Sequence, residues 1–282
     1  MRSSDGAITT FDAPYAGGSV DTIPAHLNTA GTVTGSYDDT ILASHGFVRT
    51  SDGTVTAFDA PGAGSSFNQG TWPWGINKAG TITGIFKDAG NADHGFVRDP
   101  DGAIVLFDVP GAGSGYERGT CPYSVNDDGA ISGVYIDAGF RYHGFVRAPD
   151  GGITLFDPQD SIMTAAWSVN NQGAIVGYYL DRGYRAHGFV RSPDGTVTDF
   201  KAPGAGEGGN EGTFPAGIND RGEITGMYID AGFLYHGFVR VPDGKIASFD
   251  VPGPAGLTTP TGINAAGIIT GNFGSLAFIR TP

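Results

Sequence analysis

The sequence predicts an all-β fold built from six copies of one unit, and three observations predict it. The pentapeptide His-Gly-Phe-Val-Arg occurs five times, and a degenerate sixth copy reads Leu-Ala-Phe-Ile-Arg. An Asn-x-x-Gly tetrapeptide recurs with it, at spacings of 49, 49, 44, 49 and 45 residues. The chain also holds 48 Gly and 17 Pro, a composition typical of short strands and many turns. The pentapeptide copies begin at His45, His94, His143, His187, His236 and Leu276.

Each unit is predicted to form four short strands. In the second unit these cover 71–76, 81–87, 95–98 and 103–108, and alternation places Ile82, Val97 and Phe107 in the core. The Asp-Gly and Asn-x-x-Gly connections are typical of tight hairpins, and no segment has a helical period. Three short connections followed by a long one are typical of a propeller blade, an antiparallel meander that leads into the next blade.

The two ends of the chain carry parts of one hairpin motif. Arg-x-Pro/Ser-Asp-Gly recurs after the third strand, the chain begins Arg-Ser-Ser-Asp-Gly after Met1, and it ends Arg-Thr-Pro. We therefore expect residues 7–12 to add the outer strand of the last unit, which closes a ring and protects the sheet edge. The predicted fold is a single six-bladed β-propeller domain over 1–282, with blades near 22–59, 71–108, 120–157, 164–201, 213–250 and 258–280 plus 7–12.

The repeated pentapeptide resembles that of the bacterial "probable extracellular repeat, HAF family". The motif reads His-Gly-Phe in five copies and Leu-Ala-Phe in one, so Gly replaces the usual Ala of that family five times. The resemblance covers nearly the whole chain and implies an extracellular or periplasmic protein, although the first residues show no export signal. It implies no activity, and no catalytic residue is carried over from it.

Composition limits the class of partner. A net charge of -13 argues against nucleic acid and anionic membrane surfaces, because both need a basic patch. The single cysteine, Cys121, excludes an intramolecular disulfide and a cysteine-based metal site. No apolar run reaches the length of about 20 residues that a membrane helix needs. We expect a monomer without a cofactor, whose partner is a small molecule or a glycan.

The repeated histidines are interpreted as scaffold and not as a metal site. Each is expected near the end of the third strand, where it would bond to an aspartate of the fourth strand. A ring of such outer strands is too wide to share one ion. A second set of aspartates follows the second strand and is typical of turns, with calcium in the loops as the alternative. The first set is Asp59, Asp108, Asp157 and Asp250, and the second is Asp39, Asp88, Asp137, Asp181 and Asp230.

A site for one asymmetric ligand must break the repeat, so differences between the copies carry the functional information; drift of loop sequences is the alternative. All three tryptophans, Trp72, Trp74 and Trp167, lie in the first, inner strand of a unit, and Tyr123 lies there too. They are predicted to form a stacking platform at the mouth of the channel, or else to fill the wedge between blades. The ligand is expected off-centre, toward units two to five.

His26 is the one histidine outside the repeat, at a position where other copies have Gly or Ser. It is either a hydrogen-bonded core residue or an acid–base catalyst, since its ordinary pKa suits proton transfer near neutrality. Divergent loops add aromatic, basic and acidic groups that suit a polar organic ligand. The further catalytic candidates are Tyr142 and Tyr184, and the further ligand-binding candidates are Arg118, Glu117, Arg141 and Arg185.

Three functions remain open at this point. The first is binding of a carbohydrate or another small polar or anionic organic ligand at the channel mouth. The second is an enzyme that uses the same pocket, a lyase, an isomerase or cyclase, or a hydrolase. The third is a structural surface repeat protein. The fold does not decide among them, because propellers support many functions.

Overall fold

The structure is a computed structural model that describes residues 8–13, 21–253 and 257–282. These residues form 23 strands and no helix, so the all-β prediction is confirmed for the described part of the chain. The backbone divides into two compact units. The first comprises 1–108 with 114–117, and the second comprises 109–113 with 118–282.

The first unit contains two four-stranded antiparallel meanders in chain order. A single parallel pair, Ser44 with Gly70, links the third strand of one to the first strand of the next. The strands are β1 (Asp21–Leu27), β2 (Val33–Asp38), β3 (Ser44–Arg49), β4 (Val55–Phe58), β5 (Gly70–Ile76), β6 (Ile82–Lys87), β7 (Asp93–Arg98) and β8 (Ile104–Phe107).

The second unit contains three such meanders and a final sheet of three strands. Its strands are β9 (Gly119–Val125), β10 (Ile131–Ile136), β11 (Tyr142–Arg147), β12 (Ile153–Phe156), β13 (Met163–Val169), β14 (Ile175–Leu180), β15 (Ala186–Arg191), β16 (Val197–Phe200), β17 (Gly212–Ile218), β18 (Ile224–Ile229), β19 (Tyr235–Arg240), β20 (Ile246–Phe249), β21 (Thr258–Ile263), β22 (Ile269–Phe273) and β23 (Leu276–Arg280).

The strand expected over 7–12 is described only from residue 8 onward. Ile8 forms an isolated bridge, and residues 9–13 are not assigned to a strand.

The phenylalanine of the pentapeptide is the centre of each core cluster. Phe96 is fully buried, whereas Val97 and Phe107, both expected in the core, are half-buried. The alternation in β7 has the opposite phase to the one predicted, because Phe96 and not Val97 is the fully buried side chain. A Cβ on Gly95 would lie 2.8 Å from the ring of Phe107. This contact leaves no room for a side chain at Gly95 in the second repeat.

The asparagines of the Asn-x-x-Gly turns bond from one repeat to the next. In the first unit Asn28 Nδ2 donates to the Asn77 carbonyl at 3.0 Å. In the second unit Asn126 donates to Asn170 at 3.0 Å, Asn170 to Asn219 at 3.1 Å, and Asn219 to Asn264 at 3.0 Å. We call this series the asparagine chain. It explains why asparagine recurs at this turn.

The repeated histidines bond to carboxylates, as expected, but they lie at the start of the third strand and not near its end. His45 is the second residue of β3, because the preceding turn closes earlier than the sequence pattern indicated. In four repeats Nδ1 lies 2.6–3.0 Å from the fourth-strand aspartate. His187 is the exception, since Lys201 stands at that position, and its Nε2 lies 2.9 Å from Asp181.

The second set of aspartates closes the turns between second and third strands. Asp137 Oδ1 accepts the backbone N–H groups of Gly139 at 2.7 Å and Arg141 at 2.9 Å. These bonds, led by the one from Arg141, lower the pKa of Asp137 below its ordinary value of 3.8. The other four aspartates accept the equivalent pair of bonds, which accounts for the set by turn chemistry. Among the described residues no group of three or more His, Cys, Asp or Glu could hold a metal, and no helix could span a membrane.

Candidate functional site

In each of the six sequence repeats, the first strand carries a β-bulge at the equivalent position. In β13 the pairing passes from Ala166 opposite Gly177 to Ser168 opposite Val176, which leaves Trp167 as the extra residue. A bulge bends the strand and redirects a side chain, and bulges are frequent beside functional sites. The six bulge residues are Ala25, Trp74, Tyr123, Trp167, Ala216 and Thr261.

A glycine of the second strand makes each bulge possible. A Cβ on Gly226 would lie 2.2 Å from the carbonyl oxygen of Phe214 and 2.7 Å from Cα of Pro215. The inner strand therefore packs directly on the backbone of its neighbour. The bulge residues take their direction from this close packing and not from their own side chains.

A cavity of about 440 Å³ lies in the second unit, against β13, β17 and β21. Its walls include three bulge residues, of which Ala216 and Thr261 are small and Trp167 is large. We call it the inner-strand cavity. Its lining is Trp167, Tyr178, Phe214, Pro215, Ala216, Met227, Thr259, Pro260 and Thr261.

Two aromatic pairs form the walls of the inner-strand cavity or adjoin it. Trp167 stacks on Tyr123 with ring centroids 4.4 Å apart and planes 21° apart, and it remains 38% exposed. Tyr178 meets Phe214 edge to face at 4.9 Å. Burial, and then the nearby Tyr142, raises the pKa of Tyr178, so its hydroxyl stays protonated at neutral pH. The cavity thus offers a solvent-exposed indole face and the ring of a half-buried tyrosine.

Sequence reasoning found only part of this cavity. It identified Trp167 and Tyr123, but it missed Tyr178 and Met227, which occupy one register position in β14 and β18. It also expected the ligand toward repeats two to five, whereas this cavity lies against the first strands of repeats four to six. The small bulge residues Ala216 and Thr261 leave the space there, and a search for large side chains could not detect it.

Arg141 and Tyr142 lie together in a smaller cavity of about 190 Å³, with His143, Asp157 and Ser161. This space lies where the long connection is shortened between β12 and β13. His143 Nδ1 is already 2.6 Å from Asp157. The structure therefore brings two predicted site residues together, next to a histidine of the scaffold.

The other loop candidates of the second unit contact the protein itself. Arg185 donates to Glu207 at 2.6 Å. Arg118 donates to the Ala138 carbonyl at 3.0 Å and lies 4.7 Å above the ring of Phe140. Tyr184 lies at a loop tip with φ of 60° and is 59% exposed. None of these side chains lines the inner-strand cavity.

The remaining candidates belong to the first unit. Trp72 and Trp74 are half-buried, and Glu117 is exposed with φ of 53°. Desolvation lowers the pKa of His26 below its ordinary value of 6.5. Its imidazole is therefore mostly neutral at neutral pH, the form that accepts a proton.

One buried ion pair of the first unit was missed by the sequence reasoning. Lys87 Nζ lies 4.0 Å from Asp93 Oδ1, and both side chains are buried. Burial raises the pKa of Asp93 to about 6, and its Oδ1 accepts no hydrogen bond among the described residues. In repeats three to five, the residue that ends the second strand, equivalent to Lys87, is apolar. The disagreement between repeats was therefore a signal that could have found this pair.

No family model matches the chain, and no curated protein matches it in sequence. Among solved structures, a streptogramin B lyase is 16% identical with a TM-score of 0.59, covering 95% of this chain and 81% of that one. A catalytically inactive histidine-to-alanine variant of virginiamycin B lyase from Staphylococcus aureus, with quinupristin, is 15% identical with a TM-score of 0.58, covering 93% and 85%. TolB from Acinetobacter baumannii is 12% identical with a TM-score of 0.55, covering 85% and 60%.

These neighbours are β-propeller proteins, and likeness at this level of identity concerns the fold alone. The resemblance to the HAF family has no support from a family model and remains a hypothesis. The chain has the fold of a β-propeller.

Proposed function

We propose that this protein binds a small organic ligand in the inner-strand cavity. The observation that carries the proposal is the coincidence of a cavity of about 440 Å³ with the bulge positions at which the repeats differ. Pockets that combine apolar walls with a few polar groups are typical ligand sites. Scaffold alone would not require a tryptophan with 38% of its surface exposed beside two small bulge residues.

The lining indicates the chemistry of this ligand. None of the nine lining residues is basic, so the cavity favours a neutral ligand over an anionic one. Trp167 offers a flat face on which the apolar face of a sugar ring or another planar group can stack. Tyr178 and Thr259 supply hydroxyl groups, although Thr259 Oγ1 already donates to the Asn272 carbonyl at 3.0 Å. A neutral carbohydrate is the class that fits best.

Exchange of Trp167 for alanine tests the proposal. The free protein would be titrated calorimetrically with a panel of neutral monosaccharides, sugar acids and lactones. Trp167→Ala should weaken binding of the best ligand roughly five-fold to ten-fold, the loss of a stacking contact of about 1 kcal/mol. Tyr184→Ala removes an exposed aromatic ring outside the cavity and should leave binding unchanged. Equal loss in both variants, or binding of sugar acids alone, would contradict the proposal.

An enzyme is the second candidate, and the state of His26 favours it. His26 is the one histidine outside the repeated pentapeptide, and its neutral imidazole is the form that accepts a proton in an elimination, an isomerisation or a hydrolysis. His26→Gln should then abolish turnover of any substrate found in the same panel and leave its dissociation constant within about two-fold. Turnover that persists in this variant would exclude His26 as the base.

We further propose six blades and closure of the ring by residues 7–12. Phe11 supports this, because it contacts Phe47 at 5.8 Å and lies under Arg49 at 5.0 Å. Phe58 of β4 contacts Phe96 at 6.0 Å and lies under Arg98 at 4.9 Å in the same way. Phe11 thus occupies the place of a fourth-strand phenylalanine, and the sheet β21–β23 has only three strands.

Location and oligomeric state are proposed from the sequence alone. The pentapeptide repeat supports an extracellular or periplasmic monomer of the HAF type.

A further inference from the structure

A second cavity, of about 220 Å³, lies in the first unit between its two meanders. Aromatic rings of Phe67 and Trp72, the carboxylate of Asp38 and the hydroxyl of Ser44 line it, together with Ile23, Leu42 and Asn68. We call it the Asp38 groove. Its volume equals that of about seven water molecules, which suits a small ligand.

The groove is held open by backbone bonds. Ser44 N–H donates to the Gln69 carbonyl at 2.8 Å, and Asn68 N–H donates to the Leu42 carbonyl at 3.0 Å. Leu42 and Asn68 have φ of 60° and 57°, so both turns are fixed in an unusual conformation. The walls therefore exist before any ligand arrives, which lowers the entropic cost of binding.

The next repeat shows what such a groove accepts. Lys87 ends β6 as Asp38 ends β2, Asp93 begins β7 as Ser44 begins β3, and Tyr116 precedes Gly119 as Phe67 precedes Gly70. Lys87 Nζ lies 5.9 Å from the ring centroids of both Trp72 and Tyr116. It also lies 4.0 Å from Asp93. An ammonium group thus occupies this position between two aromatic rings and beside a carboxylate.

The Asp38 groove combines the same kinds of group without the ammonium, but at partly different positions. Its carboxylate stands at the Lys87 position, and its Trp72 is equivalent to Cys121 of the third repeat. Its aromatic rings are Phe67 and Trp72, and its carboxylate is Asp38, which accepts a hydrogen bond from Ser44 Oγ at 2.6 Å. None of the seven lining residues is basic. A carboxylate beside aromatic faces attracts an organic cation, because the ring faces are negative and the charge is complementary.

We propose that the Asp38 groove binds a small organic ammonium ion, a protonated or methylated amine. The ammonium group would take the place that Lys87 takes in the next repeat, with Asp38 as its counter-ion and Trp72 and Phe67 against its substituents. This site is separate from the inner-strand cavity, and it does not depend on the function proposed for that cavity.

Choline and its neutral isostere 3,3-dimethylbutan-1-ol form the decisive pair of probes, since they share a shape and differ in charge. Calorimetric titration of the full chain should show saturable binding of choline and binding of the isostere at least ten-fold weaker. Asp38→Asn should weaken choline at least ten-fold, whereas Asp99→Asn, an equal change of charge at an exposed position, should not. Trp167→Ala should also leave choline binding unchanged.

Asp38→Lys gives a second, independent readout. The new side chain should fill the groove as Lys87 fills the next one, so choline binding should be lost while the unfolding midpoint stays within a few degrees of the wild-type value. The double variant Asp38→Lys with Ser44→Asp introduces the Lys87–Asp93 pair of the second repeat at the equivalent positions. It replaces the single variant in this test if the single variant folds poorly. Equal binding of the two probes, no saturable binding of choline, or unchanged choline binding in a folded Asp38→Lys variant would overturn the proposal.

Discussion

The histidine of the pentapeptide shows how far single residues can be interpreted from their repetition. Its bond to the fourth-strand aspartate was predictable, because both residues recur at a fixed separation of 14. Its second contact was not. Nε2 of His236 lies 3.4 Å from Asp230, and the ring stacks on Tyr228 at 4.9 Å. These contacts depend on the three-dimensional path of the turn, which a separation in sequence does not specify.

His236 and His187 provide a matched pair for measuring the fourth-strand bond. Both stack on a tyrosine and face a turn aspartate, but only His236 has a partner in the fourth strand, Asp250 at 3.0 Å. His236→Ala should therefore lower the free energy of unfolding by about 1 kcal/mol more than His187→Ala does. Urea denaturation at pH 7 measures both. Equal losses would show that the bond to Asp250 adds nothing beyond what the shorter bond of His187 to Asp181 contributes.

Asp93 predicts a dependence of stability on pH. Burial raises its pKa in the folded protein to about 6, above the ordinary value of 3.8. The folded state therefore binds the proton more tightly, so the cost of the buried carboxylate is present above pH 6 and is relieved as the pH falls from 6 toward 4. Relative to Asp93→Asn, the wild type should gain on the order of 2 kcal/mol over that range.

Urea unfolding of the two proteins at half-unit steps of pH tests this. The turn aspartates have lowered pKa values, and their contribution is lost only as the pH falls below about 4. The two effects thus occupy separate ranges. Parallel profiles of wild type and Asp93→Asn between pH 7 and 4.5 would show that the pKa of Asp93 is ordinary.

At the scale of the element, the β-bulge determines the candidate site. Hairpin positions followed from periodicity and turn residues, since both are local properties of the chain. The bulge did not follow, because it results from the approach of two backbones at a glycine of the second strand. The same limit explains why Tyr178 and Met227 were missed, for they contribute to the cavity only through their register opposite the bulged strands.

Gly226→Ala tests the role of this close approach. Its new Cβ would meet the Phe214 carbonyl oxygen at 2.2 Å and Cα of Pro215 at 2.7 Å, neither of which can move without shifting β17. We expect a loss of about 3 kcal/mol in the free energy of unfolding. Gly232→Ala is the control, because its Cβ would meet only the Asp230 side chain, at 3.3 Å or more. Equal urea midpoints for the two variants would refute the account of the bulge.

At the scale of the molecule, the sequence supported the fold more strongly than the site. The same residue types recur at equivalent positions in six copies, so a position that is ambiguous in one copy can be interpreted from the others. The cavities have no such support, because they arise where the copies differ. Ala216 and Thr261 help to form a cavity by being small, and a single small residue in a sequence is not a signal.

The proposed closure of the ring predicts that the chain tolerates a circular permutation. Joining Pro282 directly to Asp5 recreates Arg-Thr-Pro-Asp-Gly, the hairpin found after the other third strands. New termini between Pro100 and Asp101 would then fall in the equivalent exposed hairpin of the second repeat. The permutant should unfold cooperatively within about 1 kcal/mol of the wild type in urea. An insoluble or non-cooperative permutant would contradict closure.

The asparagine chain has a consequence for how copies of this unit can be combined. Each turn presents an amide donor on one side and a carbonyl acceptor on the other, so the contact is directional and joins any repeat to any following repeat. Head-to-tail contacts of this kind do not limit the number of repeats that can be joined. A fragment that ends after β20, the last strand of the repeat that contains Asn219, would leave the donor of Asn219 without its Asn264 acceptor, and its other end would expose the matching acceptor. Such fragments should assemble with one another, and the number of repeats in the chain must be limited by something other than this bond.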